Sequence, residues 1–132
     1  MKKIDIACII DDDPVYIYFT KEIFELADFC NRYLIYNNGK EALENLTANI
    51  LTGENIPEVI LLDLNMPVMD GWEFLDEFVK VPTPKKIYIY IVTSSIDPED
   101  TNRAKQYEAI RNYIIKPNTV EVIKDLLENF QY

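Results

Sequence analysis

A chain of 132 residues, 48% hydrophobic and 27% charged, has the makeup of one water-soluble globular domain long enough to bury a core. Its net charge of -10, with no basic cluster to offset it, argues against direct nucleic-acid binding. Histidine is absent, which excludes Ser-His-Asp or Cys-His catalysis, histidine metal ligation and any role as a histidine phosphodonor. No apolar run reaches the length of a membrane span, and the first is too short for a secretion signal, so the cytoplasm is the expected compartment. Cys8 and Cys30 have no metal-binding spacing and make no disulfide framework; Cys8, inside an apolar run, reads as a buried reduced thiol.

In chain order, a strand is predicted from Ile4 to Ile10, followed by a helix opened by Asp13 as cap and Pro14 at its first position. A strand from Arg32 to Tyr36 and a helix from Gly39 to Leu51 come next. The segment Asn49 to Pro57 reads as the end of that helix and a surface loop. Then follow a strand from Val59 to Leu62, a helix from Gly71 to Val79, a strand from Ile87 to Val92 and a helix from Pro98 to Glu108. A strand from Tyr113 to Ile115 and a helix from Asn118 to Phe130 complete five β-α units. The first, third and fourth strands are near-continuous apolar runs, as expected when both faces are covered, and the alternation argues a parallel sheet with right-handed crossovers.

Polar residues stand where four of these runs end: Asp11 and Asp12, then Asp63, Thr93 and Lys116. Ligands of open parallel sheets bind beyond the carboxyl ends of the strands, so one pocket would hold all five. A carboxylate such as Asp63 can attack phosphorus to give an aspartyl phosphate. Asp11 and Asp12 beside it form a repulsive cluster that a hard cation such as Mg²⁺ relieves through carboxylates, waters and the Asn65 carbonyl. The Thr93 hydroxyl and Lys116 ammonium suit the remaining phosphoryl oxygens. Each residue alone has a plainer reading: a turn start, a helix cap, a β-branched strand end, a solvated lysine. Asp13 is read only as a cap.

The runs I-I-D-D-D-P, V-I-L-L-D-L-N-M-P-V-M-D-G-W-E-F-L, I-V-T-S-S and Y-I-I-K-P resemble those of the receiver domain of two-component response regulators, over essentially the whole chain. The resemblance implies a flavodoxin-like α/β/α fold with a five-stranded parallel sheet in order 2-1-3-4-5. It places the phosphoacceptor at Asp63 and the metal ligands at Asp11, Asp12, Asp63 and the Asn65 carbonyl. Thr93 matches the switch hydroxyl, Lys116 the phosphate-contacting lysine, Tyr113 the aromatic switch position and Ser94 a position kept small. Asn118 departs from the usual apolar residue there, which affects packing at the start of the last helix.

The function so implied is a single-domain response regulator covering residues 1-132 without an output domain. It would catalyse only its own phosphorylation and dephosphorylation. Its expected partners are a sensor histidine kinase or histidine phosphotransfer protein and a downstream protein, with no membrane and a monomeric or weakly dimeric state. The alternative is a degenerate receiver acting as a phosphorylation-independent binding module, for which a costly acid cluster has no use. A flavin module conflicts with the acidic loop before Pro14, and a dehalogenase-type phosphatase conflicts with Asn65 where a second acid belongs. On the first helix, Val15, Phe19, Ile23 and Leu26 are read as the core-facing stripe. Tyr16, Ile17, Tyr18 and Phe24 then exceed that face, and Tyr18 or Ile17 is expected to dock a phosphohistidine-bearing helix bundle.

Overall fold

The computed structural model describes residues 4 to 129. Ten elements alternate: β1 (Ile4–Ile10), α1 (Pro14–Leu26), β2 (Cys30–Tyr36), α2 (Gly39–Thr52), β3 (Val59–Leu62), α3 (Gly71–Phe78), β4 (Tyr88–Thr93), α4 (Pro98–Ala104), β5 (Ile110–Ile115) and α5 (Thr119–Asn129). The five strands form one parallel sheet in the order β2-β1-β3-β4-β5. This is the flavodoxin-like α/β fold expected from the sequence. Its first reversal of strand order lies between β1 and β3, where Ile10 pairs with Leu62.

Successive strand side chains point to opposite faces, so each apolar run fills two layers at once. Cys8 and Ile10 pack with Leu46 of α2 and Phe74 and Leu75 of α3. Ala7 and Ile9 face the other way, toward Ile17 and Phe24 of α1 and Val122 and Leu126 of α5. Each large apolar side chain so buried contributes about 1.5–3 kcal/mol relative to exposure. Cys8 and Cys30 are both buried without a disulfide, and burial pushes the Cys8 thiol pKa up, which keeps it protonated.

Helix starts follow local chemistry. The Asp13 carboxylate accepts from the Val15 and Tyr16 N–H groups at 3.0 and 3.3 Å, with Pro14 at the first helical position. Asn38 caps α2, whose far end closes on Gly53 in the left-handed region at φ 76°. Asp70 and Glu73 form a reciprocal capping box at α3, and Asp97-Pro98 opens α4.

The stripe expected on α1 is corrected. Val15 and Leu26 are 76% and 87% exposed and Phe19 is exposed too, while Ile17, Thr20 and Phe24 face the core. Ile23 alone of the expected stripe packs partly against the interior. Both sets recur at helical spacing, so periodicity could not choose between them; packing against β1 and α5 does. Ile17 is therefore no docking candidate, whereas Tyr18 is 66% exposed.

Boundaries differ elsewhere. β2 and β5 begin earlier than expected, at Cys30 and Ile110, because pairing with β1 and β4 recruits residues of weak strand pattern. β4 runs on to Thr93, and α4 stops at Ala104 rather than Glu108. α3 and α5 are a residue or so shorter than read, and Phe130 lies outside the described residues. Asn118 is exposed, and Thr119 takes the buried place at the start of α5. Among the described residues, no helix is long and apolar enough to cross a membrane.

Candidate phosphoacceptor and metal site

The pairing of Ile10 with Leu62 brings the next residues of the two strands together. The Asp63 N–H donates to the Ile10 carbonyl at 2.9 Å, and the Asp11 N–H donates to the Tyr36 carbonyl at 3.0 Å. Asp11, Asp12 and Asp63 each bring a carboxylate oxygen within 4.8 Å of the others. Asp11 and Asp63 are buried, while Asp12 opens to solvent. Backbone donors orient the buried pair: Asp13 N–H to Asp11 Oδ1 at 3.0 Å, and Leu64 N–H to Asp63 Oδ1 at 2.8 Å.

Lys116 enters from the end of β5, its N–H donating to the Thr93 carbonyl at 2.8 Å. The Lys116 Nζ lies 2.8 Å from Asp11 Oδ2, 3.6 Å from Asp63 Oδ2 and 4.4 Å from the centre of the Tyr16 ring. Burial pushes the Asp11 pKa up to about 6, with the Asp63 charge adding to the rise and the Lys116 and Asp13 hydrogen bonds opposing it. For Lys116, burial acts to lower the pKa, but the Asp11 hydrogen bond and the charges of Asp11 and Asp63 outweigh it, and the net shift is upward. A cation between two carboxylates stays charged. Asp11 is held up chiefly by burial, with the Asp63 charge a smaller contribution. The oxygen-only, net-negative donor set fits a hard divalent cation of the Mg²⁺ type.

Thr93 is fully buried as the last residue of β4, and its hydroxyl accepts from the Ser95 N–H at 3.4 Å. Ser94 and Asn65 are exposed at the rim, in the loops after β4 and β3. Tyr113 is half-buried on β5, its hydroxyl donating to the Ser95 carbonyl at 3.0 Å. The fold thus brings Asp11, Asp12, Asp63, Thr93 and Lys116 to one edge of the sheet, with Tyr113 one loop away.

Several contributors escaped the sequence reading. Gly71 packs its Cα against the Asp63 backbone: a Cβ there would stand 2.4 Å from the Asp63 carbonyl oxygen. A glycine eight residues past a candidate nucleophile was the available signal. Ser95 Oγ donates to Asp100 Oδ2 at 2.5 Å, and Trp72 Nε1 donates to Asp100 Oδ1 at 3.0 Å. Trp72 in turn stacks on Tyr107, 5.6 Å between ring centres, under the Arg103 guanidinium. This set ties α3 to α4 beside the carbonyl that holds Tyr113. Tyr16 was read only as a surplus aromatic of α1.

The family model of the response regulator receiver domain matches residues 7–128. The chain belongs to that family. It is 33% identical over 91 residues to the chemotaxis protein CheY1 of Helicobacter pylori, covering 69% of this chain and 68% of that one. It is 28% identical over 126 residues to a probable methanogenesis regulatory protein, FilR2, of Methanothrix harundinacea, covering 96% of this chain and 81% of that one. The crystal structure of a two-component response regulator from Cytophaga hutchinsonii superposes with a TM-score of 0.83 at 26% identity, covering 97% of this chain and all of that one. Other relatives are much longer, and the chain spans 11% and 31% of two of them. Receiver domains are signalling modules that interact with histidine kinases and phosphotransfer proteins, and they generally bind Mg²⁺ at an acidic pocket.

Proposed function

We propose that the chain takes a phosphoryl group onto Asp63 from a phosphohistidine of a sensor kinase or phosphotransfer protein and signals through the resulting change of surface. The observation that carries this reading is the Asp63 carboxylate, buried at a strand end, with Oδ2 3.6 Å from the Lys116 ammonium and within the Asp11-Asp12 oxygen cluster. An Asp63 oxygen bonds to phosphorus as the bond from phosphorus to the donor imidazole nitrogen breaks, that nitrogen keeping the electron pair. Asp11, Asp12, Asp63 and the Asn65 carbonyl would hold a divalent cation, which would supply positive charge to the transferring phosphoryl group. The Lys116 ammonium neutralises one phosphoryl oxygen, and the Thr93 hydroxyl donates to another.

The phosphoryl group adds about -1.5 to -2 charges and three strong acceptors. Drawn to it, the Thr93 hydroxyl leaves the Ser95 N–H. Tyr113, bonded to the same residue's carbonyl, then turns inward. The affected surface is α4, β5 and α5. The test is intact-mass labelling with acetyl phosphate and Mg²⁺: wild type gains one phosphoryl group, and Asp63→Asn gains none. Equal labelling of the two rules out Asp63 as acceptor.

A further inference from the structure

We propose that Tyr16 is a positioning residue for Lys116, its ring forming an uncharged wall of the ammonium site that takes no part in phosphoryl transfer. This rests on the reading of Asp63 as phosphoacceptor. The Lys116 Nζ is flanked by Asp11 at 2.8 Å, by Asp63 at 3.6 Å and by the Tyr16 ring at 4.4 Å. A lysine is a point charge on a flexible four-carbon stem, so its position is set by what surrounds the head. Both carboxylates have other work in the reaction. On becoming an acyl phosphate, Asp63 moves its negative charge from the carboxyl oxygens to the phosphoryl group, and Asp11 would be shared with a bound cation. The ring face attracts the ammonium before and after, at a separation well inside the cation–π range of about 6 Å.

The ring is itself held at both ends. The Tyr16 N–H donates to the Asp13 carboxylate at 3.3 Å, so the loop that presents Asp11 and Asp12 also sets the root of the side chain. At the far end the Tyr16 hydroxyl hydrogen-bonds the Thr119 hydroxyl, which is fully buried as the first residue of α5. Lys116 and Thr119 bracket the β5–α5 loop, and Tyr16 touches both. The ring therefore fixes the lysine to the acid pair and the loop to α1 in one contact. Half-burial of Tyr16 keeps water from competing for the ammonium.

Three readouts test this. In metal-free protein, the ring should shift the Lys116 ε-methylene protons upfield in NMR spectra, and Tyr16→Leu should abolish that shift. Acetyl phosphate labelling should slow roughly threefold to tenfold in Tyr16→Leu, the loss expected for a partly desolvated cation–π contact. Tyr16→Phe, which keeps the ring, should restore the rate to about twofold of wild type or better. In a Lys116→Met background, Tyr16→Leu should cause no further loss, because the tyrosine acts only through the lysine. A purely structural role predicts equal slowing in both backgrounds, and that result overturns the proposal. So does Tyr16→Phe falling as far as Tyr16→Leu, which would assign the effect to the Thr119 bond. Failure of wild type to label at Asp63 overturns the phosphoacceptor reading instead, and the ring-induced shift still reports whether Tyr16 and Lys116 meet.

Discussion

Replacing Gly71 with alanine sets a methyl carbon 2.4 Å from the Asp63 carbonyl oxygen and 2.9 Å from the Leu64 Cα, where real contacts of this kind do not fall below 3.0 Å. Both obstacles are backbone, so neither can swing aside as a side-chain tip would. Either the start of α3 or the end of β3 must move by about half an ångström, and the Gly71 N–H bond to the Leu64 carbonyl at 2.9 Å is strained with it. Overpacking of this kind costs about 1–3 kcal/mol, of which up to about 1 kcal/mol returns because alanine is the better helix former. The net, about 1–2 kcal/mol, lowers the melting temperature of a domain this size by roughly 3–8 °C. The kinetic effect is larger, because the moved atoms carry the proposed nucleophile. Misplacement by 1 Å can cost about 100-fold, so half that should slow acetyl phosphate labelling by roughly tenfold. Gly53→Ala is the comparison: φ is 76° with open space around the site, so it strains the α2 cap and lowers stability without slowing labelling. Thermal unfolding and labelling time courses of the two variants decide the matter. A Gly71→Ala protein that melts and labels like wild type would refute the claim that this glycine places Asp63.

Three further outcomes are expected. Asp11 has a folded pKa near 6, above its ordinary value of 3.8, so the native state binds the extra proton between those values. Stability of the metal-free protein should therefore fall as pH rises from about 4 to about 6, by up to about 3 kcal/mol from this group, and the slope should flatten in Asp11→Asn; equal slopes in urea titrations of the two contradict the assignment. Trp72 is the sole tryptophan and is bonded to Asp100, which also holds Ser95, so a beryllofluoride mimic should change its emission and Asp100→Ala should remove the change. Unchanged emission in a protein that binds the mimic argues against coupling across this contact. Tyr18→Ala should slow transfer from the cognate kinase several-fold while leaving stability within about 0.5 kcal/mol and acetyl phosphate labelling intact, since Tyr18 is 66% exposed. A parallel fall in both reactions would mark the residue as structural.

Much of the architecture was legible in the chain because it is written locally. Near-continuous apolar runs such as V-I-L-L announce strands covered on both faces, and Asp13-Pro14 announces a helix start through groups only a few residues away. The polar residues ending four of the runs were legible for the same reason. The parallel topology then puts all those ends on one edge, which is why the candidate pocket could be drawn before its geometry was seen.

What the tertiary structure decided are matters of which neighbour covers which face. Two apolar stripes on α1 have equal periodicity, and only the packing of Ile17 and Phe24 against β1 and α5 buries one and leaves Val15, Tyr18 and Leu26 outside. Early pairing of β5 from Ile110 depends on β4 being beside it, and not on the residues I-R-N themselves. The partners of the site are separated by long stretches of chain: Tyr16 from Lys116 and Thr119, Trp72 from Asp100, Gly71 from the backbone it touches across the β3–α3 turn. Periodicity records that a face is apolar and motifs record which groups are present. Neither carries the distance between residues that meet only when the layers close.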